Sequence, residues 1–505
     1  MSRRRALIGV VLVAIAGQLA TIAYEIVVAR RFGTGADADA LALALTLVVA
    51  VANEIVTWIA TLFVPLYVVA AHTSDAAAAR FYRQSVAAVL VVTAALAGLL
   101  VAGAAPLLGL LAPALAGRSS ALALLRWAVP LVLLLPLAAV LGSVLQARER
   151  FVLAGLRPLC WYGGALVALL FLGRRWGVGA VPVGMVVGLV VFCVALVRAG
   201  GGAADVRAGG AESGPTTVGR GLAPLLVPLV LASTANYVNV GVERALAARL
   251  PEGSLAALTY ASRLIHFPVT LVLMHATTIL LPALSVHAAR REWRPLEDML
   301  VRALRLALLF AIPLAALSVA LAEPLIHLLL ERGAFSAEST RLTSTALVWY
   351  APSLIGVAGV QVLARGYQAL QAIPRMAAIG MAAVALNLVL MPALTATLGL
   401  RGLPLATSTT TVVLLAAMLV GLRARLPGLA TRRVAGSALR AGVAALAAMV
   451  SAWLVREAAT ALPLARFVAG SVVGVAVYAG VLWWLAREDA RLALDFVMPL
   501  RWRRV

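Results

Sequence analysis

Arg263 is the sharpest chemical signal in the chain. It stands in Leu258-Thr259-Tyr260-Ala261-Ser262-Arg263-Leu264, within an apolar stretch, with no acid three or four positions to either side. An ionised side chain at bilayer depth costs about 2.5–3.5 kcal/mol on insertion scales, so it normally faces a cavity and meets a partner. The chemistry open to it is capture of an anionic group. The plainer alternative is a guanidinium near a helix end that snorkels to the interface. Arg30 and Arg31 close the first apolar stretch, while Asp37 and Asp39 open the second. These four can serve a polar site or simply pair with one another. Glu25, beside Tyr24, and Glu54, beside Asn53, lie deeper, able to line a cavity or to bond neighbouring helices. Asn239, Glu243, Asn387 and Thr407 carry oxygens that would suit a sodium ion if they converge. Against that, Glu243 and Arg244 can neutralise each other, and Thr407-Ser408-Thr409-Thr410-Thr411 equally suits hydrogen bonding between helices.

The elements that must position these groups follow from composition. Of 505 residues, 63% are hydrophobic and only 12% charged, and the mean hydropathy is +1.02. A soluble globule is nearer half apolar and a quarter charged, so soluble enzymes are excluded and the chain reads as an all-α polytopic membrane protein. The net charge is +22, and every one of the 42 basic residues is arginine. Without lysine there is no Walker A loop and no pyridoxal Schiff base, which excludes a single-chain ATP-driven pump. The arginines fall between apolar spans, as topology signals rather than as a nucleic-acid surface. Cys160 and Cys193 sit in apolar runs, and His72, His266, His275, His287 and His327 show no metal spacing.

About fourteen spans are expected, near 6–29, 39–70, 85–111, 121–145, 152–172, 178–198, 221–248, 256–285, 300–322, 341–364, 376–397, 402–422, 435–455 and 465–486. Placing both termini in the cytoplasm puts about two thirds of the arginines on that side, with Arg174 and Arg175 as a local exception. The chain also repeats itself. Arg31 and Gly35 return as Arg249 and Gly253, Val64-Pro65 as Leu281-Pro282, and Ala105-Pro106-Leu107 as Glu323-Pro324-Leu325, all close to 218 residues later. Leu145-Gln146-Ala147-Arg148 returns more loosely as Leu363-Ala364-Arg365. Six spans per copy is an even number, so the copies share one orientation, the plan of a rocking transporter with a site between two lobes. The expected division is a first lobe over 1–200, a cytoplasmic linker over 201–220, a second lobe over 221–424, and a terminal helix pair with a basic tail over 425–505. Pro130, Pro136, Pro268, Pro313 and Pro352 interrupt spans where bending would assist gating.

Longer runs carry a resemblance. Residues 255–295, with Thr278-Ile279-Leu280-Leu281-Pro282-Ala283-Leu284-Ser285, resemble the MurJ/MviN family of lipid-linked oligosaccharide flippases. So do Glu331-Arg332-Gly333-Ala334-Phe335, Leu363-Ala364-Arg365-Gly366-Tyr367 and the segment from Asn387 to Thr410. Ala29-Arg30-Arg31-Phe32-Gly33, Ala38-Asp39-Ala40 and Phe63-Val64-Pro65 match more loosely. The resemblance implies the MOP exporter fold, with two six-helix lobes and two further helices forming a lipid-tail groove. It implies an undecaprenyl-pyrophosphate-linked sugar as substrate, lipid II in the best-known members, its pyrophosphate bound by cavity arginines. Arg30, Arg263 and Asp39 fall on functional positions of that motif set. It further implies a bacterial cytoplasmic membrane protein that is not an enzyme and has no cofactor, driven by membrane potential or by sodium or proton coupling, with cell-wall synthesis proteins as possible partners. The chain departs from the pattern at Tyr24-Glu25 and Asn53-Glu54, where arginines are usual, at Ser262 for an Asp, and at Met391 for an acid of the sodium site. The alternatives are a flippase for another polyprenyl-linked glycan, a scaffold without transport, or a multidrug cation exporter, which Arg263 and the terminal helix pair argue against.

Overall fold

The computed structural model describes residues 3–116, 119–147, 150–201, 235, 238–458 and 463–497, and among them there is no β-strand. Long apolar runs without acids become helices because only an internally hydrogen-bonded backbone is tolerated in hydrocarbon. The chain divides into two units by its contacts, Met1–Ala256 with Arg332–Phe335, and Ala257–Glu331 with Ser336–Val505. Except for Gly201, the expected 201–220 linker lies outside the described residues, as do residues 221–234 of the seventh expected span.

The first unit contains α1 (Arg3–Phe32), α2 (Ala36–Thr73), α3 (Asp75–Ala102), α4 (Ala104–Leu111), α5 (Pro113–Ala116), α6 (Ser119–Ala128), α7 (Pro130–Ala147), α8 (Phe151–Gly155), α9 (Arg157–Trp176), α10 (Ala180–Leu196) and α11 (238–247). Ser74 accepts from the Ala77 amide at 3.1 Å and so caps α3. Pro130 opens α7, whereas Pro136 stays inside it. Helices α9 and α10 approach closely because glycine faces glycine. A Cβ on Gly164 would meet the Gly184 carbonyl, and one on Gly188 the Cys160 carbonyl. Small residues give membrane helices their contact area, since lipid removes the hydrophobic drive to pair. Gly188→Val is therefore expected to cost about 1–3 kcal/mol or more of stability. Gly480→Ala, with nothing within 4 Å of the added carbon, should be near neutral. Thermal unfolding midpoints in detergent check both.

The second unit contains the body of α12 (Ser254–Ala289), then α13 (Trp293–Ala320), α14 (Ala322–Leu329), α15 (Ala337–Tyr350), α16 (Ser353–Ala369), α17 (Ile373–Leu398), α18 (Gly402–Arg423), α19 (Thr431–Ala458), α20 (Pro463–Leu485) and α21 (Arg487–Val497). Its core joins α13 to α16 and α19, α17 to α18, and α19 to α20. The span α15–α16 is bent by 44° at Ala351-Pro352. Pro352 has no amide hydrogen to donate, and the bend leaves carbonyls in the turn before it without helix partners. Two serines take up carbonyls there: Ser408 Oγ donates to Trp349 O at 2.7 Å and Ser353 Oγ to Tyr350 O at 2.6 Å.

The duplication is visible in the helix bounds. Helices α3 and α4, of 28 and 8 residues, return 218 positions later as α13 and α14 with the same lengths. Further along the offset becomes 222: Gly177 and Gly399 both end their helices with left-handed backbones, φ 55° and 58°, ahead of the 3-10 turns Gly177–Gly179 and Gly399–Arg401. The loose match of Leu145 to Leu363 keeps the earlier offset, so it does not pair equivalent helix positions.

Among the described residues nine stretches are long and apolar enough to cross a membrane, three of them (Ser120–Gln146, Arg157–Gly200 and Ile373–Arg423) holding two helices each. The bent α15–α16 pair makes a tenth. Phe171 at 81% and Trp484 at 82% exposure lie among many open apolar side chains, a surface suited to lipid.

Candidate functional site

In the first unit the polar residues of α1 and α2 are mostly buried. Tyr24 and Glu25 are nearly inaccessible, as is Glu54, and Asn53 is half-buried. Tyr24 packs on Tyr162 of α9 with ring centroids 5.1 Å apart, and Tyr162 lies 5.9 Å from Trp161. The two arginines ending α1 differ. Arg31 Nη1 donates to the Leu169 carbonyl of α9 at 2.5 Å, and its guanidinium fills the space a Cβ on Gly173 would need. Arg30 exposes its side chain, while its carbonyl accepts from the Ala334 amide at 2.8 Å. Gly333 can pack against Arg30 there because it lacks a Cβ and adopts φ 67°.

Asp39 has an assignment that sequence spacing does not suggest. Its Oδ2 accepts from the Gly253 amide and its Oδ1 from the Ala256 amide, each at 2.7 Å, so it caps the start of α12. Glu252, just before that helix, returns the favour by accepting from the Ala36 amide at 2.9 Å, the first residue of α2. Both carboxylates satisfy amides at the starts of helices, partners more than two hundred residues away in the sequence.

Asn239 and Glu243 lie one turn apart on α11, both half-buried, in the first unit. Asn387 and Thr407 belong to the second. There Asn387 is buried, and its Oδ1 accepts from Thr410 Oγ1 at 3.2 Å, one turn beyond Thr407. Among the described residues no group of three His, Cys, Asp or Glu is arranged to hold a metal ion.

Arg263, half-buried on α12, stands one turn before His266. His266 bridges α12 to the bend in α15–α16. Its Nδ1 lies 2.8 Å from the Ser262 carbonyl and its Nε2 3.1 Å from Ser353 Oγ, with the ring edge-on to Tyr350. His266 has no metal spacing in the sequence; in the structure it fastens the turn carrying Arg263. The available signal was its spacing of three from Arg263 together with Pro352-Ser353 ahead.

A second cluster went unread. Asp489, fully buried at the start of α21, accepts from Arg305 at 2.6 Å, from Ser437 at 2.5 Å and from Arg440 at 2.7 Å, while Glu488 takes the other arm of Arg305 at 3.0 Å. Burial pushes the Asp489 carboxyl upward, but the hydrogen bonds from Ser437, Arg305 and Arg440 outweigh it and hold the group below the ordinary carboxylate range. Arg305 and Arg440 are topology signals by sequence and an anchor for α21 in the fold.

A profile of the family described as Lipid II flippase MurJ matches residues 28–477. The chain belongs to that family. MurJ relatives include the lipid II flippase MurJ of Burkholderia cenocepacia, 30% identical over 273 residues, 51% of this chain and 52% of that protein. The probable lipid II flippase MurJ of Thermotoga maritima is 28% identical over 292 residues, 58% of each. The aligned part thus spans about half the length of these relatives. Among solved structures, Lipid II flippase MurJ in an inward closed conformation matches with a TM-score of 0.77 at 20% identity, over 94% of this chain and 99% of that one. An inward-facing multidrug resistance MATE transporter of the MOP superfamily matches at 0.63 and 14% identity, over 83% and 98%. The all-helical MOP fold implied by the family resemblance is the fold of this MurJ-family chain, whose family is described as that of lipid II flippases.

Proposed function

We propose that this chain is a flippase moving a polyprenyl-pyrophosphate-linked cell-wall precursor, lipid II in the first instance, to the outer leaflet by alternating access, for peptidoglycan synthesis. The membership of residues 28–477 in the MurJ family carries the reading. The physics supports it. A pyrophosphate bears about two negative charges, and a guanidinium binds phosphate oxygens bidentately without losing its own charge. Arg263, at bilayer depth and braced by the next turn, offers that group while a polyprenyl tail stays in lipid. Carrying two negative charges outward through an inside-negative potential is favourable by about 4.6 kcal/mol per 100 mV, from 2.3 per charge. That drive needs neither ATP nor a coupled ion. The arginine bias supports both termini lying in the cytoplasm, and MurJ-family membership supports a bacterial inner membrane. A multidrug cation exporter shares the fold, but an arginine at bilayer depth repels a cation.

Headgroup translocation in proteoliposomes tests the reading, with lipid II and a second undecaprenyl-pyrophosphate glycan offered side by side. Lipid II should cross, and faster under an imposed inside-negative potential. Movement of the second glycan alone would assign an exopolysaccharide-type flippase. Movement of neither by folded protein would sink transport altogether and leave a scaffold.

A further inference from the structure

The two copies of the duplicated helices differ at one corner. Trp127-Ala128-Val129-Pro130 returns as Trp349-Tyr350-Ala351-Pro352, and Gly177-Val178-Gly179-Ala180 as Gly399-Leu400-Arg401-Gly402, both 222 positions on. In the first copy the corner is shut. Trp127 lies 6.2 Å from Trp176, ring to ring, and a Cβ on Gly179 would run into the Trp127 ring. In the second copy Leu398 replaces Trp176 and Arg401 replaces Gly179. The corner is open there, a cavity of about 230 Å³ whose lining includes Glu323, Ser344, Thr345, Trp349, Arg401 and Arg456, all within the second unit.

We propose that this cavity is a binding site for a phosphate-bearing polyol, a sugar phosphate above all. Arg401 is exposed and enters no ion pair among the described residues, so its five N–H groups are available to an anion. Arg456 is held in place by Glu323 at 2.9 Å, Glu457 at 3.3 Å and the Ala320 carbonyl at 3.2 Å. Ser344 and Thr345 donate their protons to the Arg341 carbonyl at 3.2 and 2.7 Å, which leaves their oxygens as acceptors beside the Glu323 carboxylate. The corner therefore offers a planar donor for phosphate, acceptors for hydroxyls, and the indole of Trp349 for the C–H face of a sugar ring. It lies where α13, α17 and α19 end, the outer face in the orientation proposed above. Two sources share this ligand chemistry: the flipped headgroup, which rests on the flippase reading, and the glycerol phosphate of a phospholipid.

Titration calorimetry on the detergent-purified full chain separates them, with glucose 1-phosphate, glycerol 1-phosphate and methyl glucoside as probes. Glucose 1-phosphate should bind, methyl glucoside at least about tenfold more weakly, since a guanidinium–phosphate pair is worth at least that factor. Arg401→Gln should weaken glucose 1-phosphate by a similar factor, Arg401→Lys by less, and Arg263→Ala not at all. Tighter binding of glucose 1-phosphate than of glycerol 1-phosphate supports the headgroup as source, and equal binding supports the same site taking a phospholipid. Unchanged affinity in Arg401→Gln, or no binding of either phosphate, overturns the proposal. Binding is read without transport, so this failure is distinct from failure of the flippase assay.

Discussion

Arg263→Ala is expected to lower headgroup translocation about a hundredfold or more, because two charge-assisted hydrogen bonds to phosphate, each worth about 1.5–3 kcal/mol, are lost. Arg263→Lys keeps the charge but not the planar fork, so it should retain a partial rate. Arg263 is half-buried, and removing its charge also removes a cost of insertion, so the Ala variant should still enter the membrane. The check is a translocation time course in proteoliposomes beside an unfolding curve on the same preparations. Wild-type flipping by the Ala variant would take Arg263 out of the mechanism.

The second large effect concerns stability. Asp489→Ala should destabilise the second unit by about 3–5 kcal/mol, since it strips the buried partner from Arg305 and leaves that guanidinium mostly enclosed. Arg305 is only 8% exposed at its side chain, and its remaining acid, Glu488, is 84% exposed. The pH dependence follows from the lowered Asp489 carboxyl. Its stabilisation is fully present above the unfolded value of about 4 and disappears as pH falls through the lower folded value. Unfolding midpoints measured from pH 7 down to pH 3 should therefore fall for the wild type at the acid end. In Asp489→Ala that part of the fall should be missing. Equal acid sensitivity in both would show that Asp489 is not the group concerned.

Much of this fold was legible because glycine and proline punctuate it. Gly35 and Gly253, and Pro106 and Pro324, mark equivalent turns at one offset, and α3 and α13 between them keep equal lengths. The four extra residues that shift the later offset to 222 are hidden in the Ala- and Leu-rich runs, which match one another in almost any register, and show only where tryptophan, proline and glycine recur. Arg263 stood out because nothing near it in sequence could neutralise it. Asp39 looked like a partner for nearby arginines because spacing shows only neighbours along the chain. Its amides belong to Gly253 and Ala256, more than two hundred residues away. Asp489 escaped for the same reason: Arg305, Ser437 and Arg440 come from α13 and α19, and only folding collects them. The open corner at Arg401 emerges only at the 222 offset, which Trp127 and Trp349, Pro130 and Pro352, and Gly177 and Gly399 share.

The bend at Pro352 bears on how well such a membrane holds its voltage. The Trp349 and Tyr350 carbonyls receive hydroxyls from Ser408 and Ser353, so the kink does not have to recruit water into hydrocarbon to satisfy them. Protons travel along files of water, and a break that carries its own donors gives them no stepping stone. The span can therefore stay bent without leaking the gradient that would drive the cargo.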